Sequence, residues 1–229
     1  MKRFFLVLIL FSTPFTTICS QNLDELSLKY AKASFTELYE FFSLPNNAYN
    51  PEDIEPNVKW CENAFQKRGF KTQRFKTETV PLLLATRDFP NAKKTVLIYL
   101  QIDGQPVDTS KWHQPDPYIP VLKEKNNDGN WNIIDWNNLE GDINRDWRIF
   151  SRSASDARGP DMMFLKAMDI INDLNFQPNF NLKVIMDFEE ELGSPRLPKA
   201  VLDYKKELTS DMLVIFDGQI GRASCRERV

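Results

Sequence analysis

Apolar residues recur at helical spacing between Leu23 and Phe42 (Leu26, Leu28, Tyr30, Phe35, Leu38, Phe41 and Phe42), and Pro45-Asn46-Asn47 closes the run. The pattern predicts a second helix from about Pro51 to Lys67, stopped by Gly69. Phe70–Phe75 and Pro81–Asp88 read as two strands with a short connection. Three β-rich apolar runs follow: Thr95–Ile102, Asn181–Phe188 and Met212–Phe216. Helices are predicted over Pro160–Leu174 and Leu197–Leu208, between those runs. Strands alternating with helices predict an α/β fold, a mostly parallel sheet flanked by helices. Residues 104–150 break the alternation. They are polar, punctuated by Pro106, Pro115, Pro117 and Pro120, and carry Trp112, Trp131, Trp136 and Trp147. Two readings stand for this stretch: a functional excursion, or a surface hairpin packed by its own aromatics.

The two ends do not join this pattern. Lys2-Arg3, the apolar run Phe4–Phe11 and small polar residues through Ser20 follow the order of a secretory signal peptide over residues 1–20. The run is too short to span a bilayer, so no transmembrane segment is expected. Cleavage after Ser20 and a secreted or periplasmic location follow. A lipid anchor on Cys19 is the lesser alternative, because Thr16-Thr17-Ile18 makes a poor lipobox. At the other end, residues 220–229 (IGRASCRERV) follow a strand abruptly and look like the translation of a sequencing adapter. The expectation is a gene cut near Gln219, leaving residues 21–219 as the native piece.

Composition narrows the chemistry. Of 229 residues, 42% are hydrophobic and 27% charged, which suits a globular core. The net charge of −3 offers no basic excess for nucleic acid. Three cysteines exclude a disulfide scaffold, and a single histidine excludes a zinc site built from several imidazoles.

Acids mark the strand ends. Asp103 follows the first of the three apolar runs, Glu189-Glu190-Glu191 the second and Asp217 the third; Asp156 stands just before the helix after the long excursion. Open α/β sheets bind ligands at the carboxyl ends of their strands. Gly104, Gly159, Gly193 and Gly218 each follow one of these acids closely, as tight turns require. Carboxylates converging in a cleft repel one another unless a cation neutralises them, so the pattern points to divalent metal and a metal-dependent hydrolase. The plainer alternative is helix caps or solvated loop charges.

These segments resemble metallopeptidase family 20, the carnosinase-like dipeptidases, glutamate carboxypeptidases, aminoacylases and desuccinylases. The matching stretches are 95–120 (TVLIYLQIDGQPVDTSKWHQPDPYIP), 150–160 (FSRSASDARGP), 188–194 (FEEELGS) and 210–218 (SDMLVIFDG). The resemblance implies the N-terminal part of a two-metal peptidase catalytic domain, with the inserted lid or dimerisation domain absent. By position it implies that Asp156 bridges the two metals and that Glu191 and Asp217 are terminal ligands. It makes Glu190 the general base and Asp103 the acid that orients a histidine ligand. It implies two divalent metal ions, zinc with manganese or cobalt as alternatives. The substrate implied is a small peptide or acyl-amino acid, and the full-length protein implied is a homodimer.

The chain also departs from that family. Gln101 stands at the first histidine ligand, where an amide oxygen is a weaker partner for zinc than imidazole and suits a harder ion better. Ser151 and Ser153 replace glycines and Arg158 replaces lysine, while His113 matches neither histidine ligand and reads as a surface or cleft-rim residue. Two functions follow: an exported metal-dependent peptidase or amidohydrolase, or a catalytically impaired relative that binds peptides or serves structure. In either case the chain as it stands is expected to be inactive.

Overall fold

The structure, a computed structural model, describes residues 18–217, with side chains from Glu25 onward. The leader expected over residues 1–20 lies outside the described residues, save for the backbone of 18–20; so does the tail expected over 220–229. No helix among the described residues is long and apolar enough to cross a membrane.

The elements run α1 (Ile18–Phe42), α2 (Pro51–Gln66), β1 (Lys71–Phe75), β2 (Leu82–Arg87), β3 (Lys94–Gln101), β4 (Val121–Lys125), β5 (Trp131–Ile134), β6 (Arg148–Phe150), α3 (Gly159–Asp173), β7 (Phe180–Asp187), α4 (Leu197–Asp203), α5 (Lys205–Leu208) and β8 (Met212–Phe216). The main sheet has the order β1-β2-β7-β3-β8. β7, β3 and β8 are parallel, whereas β1–β2 and β2–β7 pair antiparallel. The α/β class is as expected, and the parallel half of the sheet carries the acids.

Both faces of the central strands β2, β3 and β7 are covered, and for that reason these strands read as near-continuous apolar runs. Side chains alternate across a strand. Leu83 and Ala85 of β2, Ile98 and Leu100 of β3, and Val184 and Met186 of β7 pack with Phe41, Val58, Phe65, Phe164 and Leu165 of the first three helices. Leu82, Leu84, Leu97 and Ile185 face the other way, against Ala200, Tyr204 and Leu208.

Two differences from the sequence reading appear. The predicted helix over 197–208 is interrupted at Tyr204 (φ −111°, ψ 29°), dividing α4 from α5. The Tyr204 ring stacks on Phe75 at 3.9 Å between centroids, and its hydroxyl accepts a hydrogen bond from the Lys76 amide. Residues 104–150, outside the regular alternation and read either as a functional excursion or as a surface hairpin, hold a second antiparallel sheet in the order β5-β4-β6. Its strands have three to five residues with lysine, glutamate and asparagine among them, too short and too exposed for a period-two signal. Trp131 packs edge-on against Phe150 across this small sheet.

Candidate active site

The two central parallel strands stop side by side, with Gln101 of β3 opposite Asp187 of β7. Beyond them, Asp103 ties the two exits together. Its Oδ1 accepts the Glu190 amide and its Oδ2 the Glu191 amide, both at 3.1 Å. Burial pushes the Asp103 carboxyl up to about 7, against those two amides, which favour its charged form.

Of the three consecutive glutamates, Glu189 is drawn away from the cleft. It is buried, pairs with Arg196 at 3.3 Å and accepts the Thr79 hydroxyl at 2.8 Å. Glu190 and Glu191 stay partly open. Gln105 steadies Glu191, its Nε2 donating to Oε2 at 2.9 Å. The Glu190 carboxyl is raised by burial first, then by the neighbouring charges of Glu191, Asp156, Asp217 and Asp187.

Asp156 sits in the turn Ala154–Arg158 with non-helical dihedrals (φ −126°, ψ 96°), and the Asp156–Ala157 peptide is cis. Its carboxyl is raised by burial and by Asp217, while Arg152 opposes the shift. Glu190 thus lies within electrostatic reach of Glu191, Asp156 and Asp217, and Asp156 within reach of Asp217, from three separate stretches of chain.

Close backbone approach sets this geometry. A Cβ on Gly104 would lie 2.3 Å from Ser153 Oγ and 2.9 Å from Asn46 Oδ1. On Gly159 it would meet the Ala154 carbonyl oxygen at 2.5 Å. Ser153 itself adopts φ +58°, a left-handed conformation that glycine enters at less cost.

Beneath the turn lies Arg158, fully buried. It donates to the carbonyls of Phe41 (2.7 Å), Leu44 (2.8 Å) and Ile102 (3.4 Å) and to the Asn57 side chain, with its guanidinium over the Phe41 ring. Burial lowers its pKa to about 10, which leaves it charged at neutral pH. This cation fastens the Asp156 turn to α1, α2 and the exit of β3.

Among the described residues, no group of three or more histidine, cysteine, aspartate or glutamate side chains stands close enough to hold a metal ion. The acids influence one another electrostatically without forming a closed cage. Their chemistry nonetheless suits divalent cations: the donors are carboxylate oxygens whose mutual repulsion a cation relieves. Gln101 is buried, and its Oε1 receives no hydrogen bond, leaving one acceptor available beside them. No imidazole joins the set, for His113 is exposed in the excursion, where Lys123 donates to its carbonyl.

Two arginines in the segment 150–160 belong to the site's surroundings without a signal in the sequence. Arg158 stands where the resemblance has lysine, and Arg152, whose Nε is buried without a partner, sits in a polar stretch where an arginine carries no periodic signal.

No protein-family profile matches the chain. The cysteinylglycine-S-conjugate dipeptidase of Corynebacterium striatum is 25% identical over 182 residues, covering 79% of this chain and 34% of that protein. The human β-Ala-His dipeptidase is 29% identical over 139 residues, covering 60% of this chain and 23% of that protein. Among solved structures, the M20 family metallo-carboxypeptidase Sso-CP2 of Sulfolobus solfataricus superimposes with a TM-score of 0.64 and 29% identity, over 80% of this chain and 37% of that one. The chain thus spans about a third or less of the curated relatives' length.

Proposed function

We propose that this chain, whose relatives are metallopeptidases of family 20, is the N-terminal part of an exported metal-dependent hydrolase. Its substrates are small peptides or acyl-amino acids, and it cleaves their peptide or amide bonds. The observation that carries the reading is Glu190. Its carboxyl is raised by burial and by four other acids while its backbone is fixed by Asp103. A carboxylate in that setting has the properties of a general base.

Asp156, Glu191 and Asp217 would hold two divalent ions, zinc or else manganese or cobalt, with the Gln101 amide oxygen in the place of an imidazole. When bound, the ions supply Lewis acidity to the scissile carbonyl and acidify a water. Glu190 takes the proton from the attacking water and delivers it to the leaving nitrogen. Asp103 keeps the turn bearing Glu190 and Glu191 in register with β3. Secretion or periplasmic export rests on the leader pattern before Ser20, and homodimerisation on the family precedent.

The test uses the protein read through downstream of Gln219. Glu190→Gln is expected to lower kcat for metal-dependent dipeptide hydrolysis by about 10²- to 10⁴-fold, with metal content unchanged. Unaltered turnover in that variant removes Glu190 from the mechanism. A second reading, an impaired peptide-binding relative, is favoured by the buried, unpaired Oε1 of Gln101. Dipeptide binding without any turnover by the wild type would select it.

A further inference from the structure

The turn that carries Glu190 and Glu191 hangs by its backbone from two buried acids. The Glu189 amide donates to Asp187 Oδ1 at 2.9 Å, and the next two amides go to the two oxygens of Asp103. Three successive N–H groups are thus spent on carboxylates, one at the exit of β7 and one at the exit of β3. Leaving the turn, the Gly193 amide returns to the Glu190 carbonyl at 2.7 Å and the Ser194 amide to the Glu189 carbonyl at 3.0 Å. Asp187 needs a donor of its own, for it is 2% exposed and its charge bears on Asp103 and Glu190. Among the described residues no lysine, arginine or histidine pairs with it. Its two oxygens are served by the Glu189 amide and by the Tyr99 hydroxyl, which donates to Oδ2 at 2.9 Å. Tyr99 of β3 lies opposite Ile185 of β7, so its phenol reaches diagonally to Asp187, two residues further on. The same oxygen stands 3.2 Å from Ser194 Oγ; with the phenol proton on Asp187, the serine is the donor in that bond. One hydroxyl therefore touches both the acid at the entrance of the turn and the serine at its exit.

We propose that Tyr99 is a positioning residue of the site, holding the turn of Glu190 and Glu191 at the strand exits through Asp187 and Ser194. It acts through the backbone that aims Glu190 and touches no reacting atom. Without the phenol, Asp187 Oδ2 is left buried beside other acids with no donor, and a carboxylate so stranded shifts towards another partner. The clip on the Glu189 amide shifts with it, because both bonds belong to one carboxyl group. The kinetic consequence rests on the hydrolase reading; the structural consequence does not.

Tyr99→Phe removes one oxygen and keeps the ring, which packs on the apolar cluster of Leu82, Leu84, Leu97 and Ile185. In the full-length protein, amide hydrogen exchange read by mass spectrometry is expected to quicken by about tenfold or more over residues 188–194 and to stay unchanged in the rest of the sheet. kcat for dipeptide hydrolysis is expected to fall about 10- to 100-fold, with KM held within about twofold. In a Glu190→Gln background the same substitution should lower kcat no further, since no base remains to be aimed. Ser194→Ala supplies a second variant: it quickens exchange over the same residues and adds nothing to Tyr99→Phe when the two are combined. Unchanged exchange over 188–194, a loss carried by KM alone, or an equal fractional loss of kcat in both backgrounds overturns the proposal. The two readings fail separately. Turnover lost in Glu190→Gln with exchange unchanged in Tyr99→Phe refutes the Tyr99 assignment alone. Faster local exchange in Tyr99→Phe with turnover indifferent to Glu190→Gln refutes the hydrolytic role of Glu190 and supports the hold of Tyr99 on the turn.

Discussion

Gln101 keeps its amide oxygen out of water with no donor to satisfy it, an arrangement that costs about 1–3 kcal/mol for a buried polar group. Imidazole at the same position would present a nitrogen donor that zinc prefers to an amide oxygen. Gln101→His is therefore expected to raise zinc affinity by about 10- to 100-fold, measured by competition with a chromogenic chelator, and to raise manganese affinity less. A zinc affinity no higher in the variant would show that this position does not face the ions. Asp103, the Glu189–Glu191 run and Asp217 were legible in the sequence because each terminates an apolar run, and a strand end is a place in space as well as in sequence; Asp156 was legible only by its place before a helix. Which of Glu189, Glu190 and Glu191 turns inward was not readable from spacing. It is decided by Arg196 and Thr79, which claim Glu189 from other parts of the chain.

A buried ion cluster clamps the helices on one face of the sheet. Arg68, just past the end of α2, is 4% exposed and reaches Glu37 of α1 and Asp169 of α3, each at 2.8 Å; Lys166 of α3 meets Glu37 at 2.6 Å. Burial works against the charged form of Glu37, yet hydrogen bonds from Arg68 and Lys166 hold its carboxyl down at about 2. The folded-state pKa is below that of the unfolded chain. The stabilisation is thus complete above the ordinary carboxylate range near 4.5 and lost as pH falls from there towards 2. Glu37→Gln is expected to cost about 1–3 kcal/mol in urea unfolding at pH 7, and the gap to wild type should shrink steadily below pH 4.5. A gap independent of pH would show that the charge does not carry the effect. At this scale the sequence was clear wherever one face of an element meets the core, as in α2, α3 and β7. It was silent where pairing is short and wet. β4 and β5 are held by each other's backbone, and no binary pattern records that.

For the molecule as a whole, the parallel half of the sheet could be anticipated, because helices intervene between its strands. The antiparallel half depends on β2 lying against β7, a choice made by long-range packing of Leu83 and Ala85 that no local stretch discloses. At the opposite edge is β8. It pairs with β3 on one side only, and Met212, Leu213 and Ile215 are each more than half exposed. Among the described residues, nothing hydrogen-bonds the far side of that strand. A row of free amides and carbonyls flanked by bare aliphatic groups recruits any extended chain it meets, including another copy of itself. Leu213→Lys is accordingly expected to reduce concentration-dependent association in sedimentation velocity while leaving the fold intact. An unchanged distribution of species would clear this edge of blame. A strand so exposed makes solubility a property of whatever lies over it: covered, it is one more rung of a ladder, and bare, it is the seed of a precipitate.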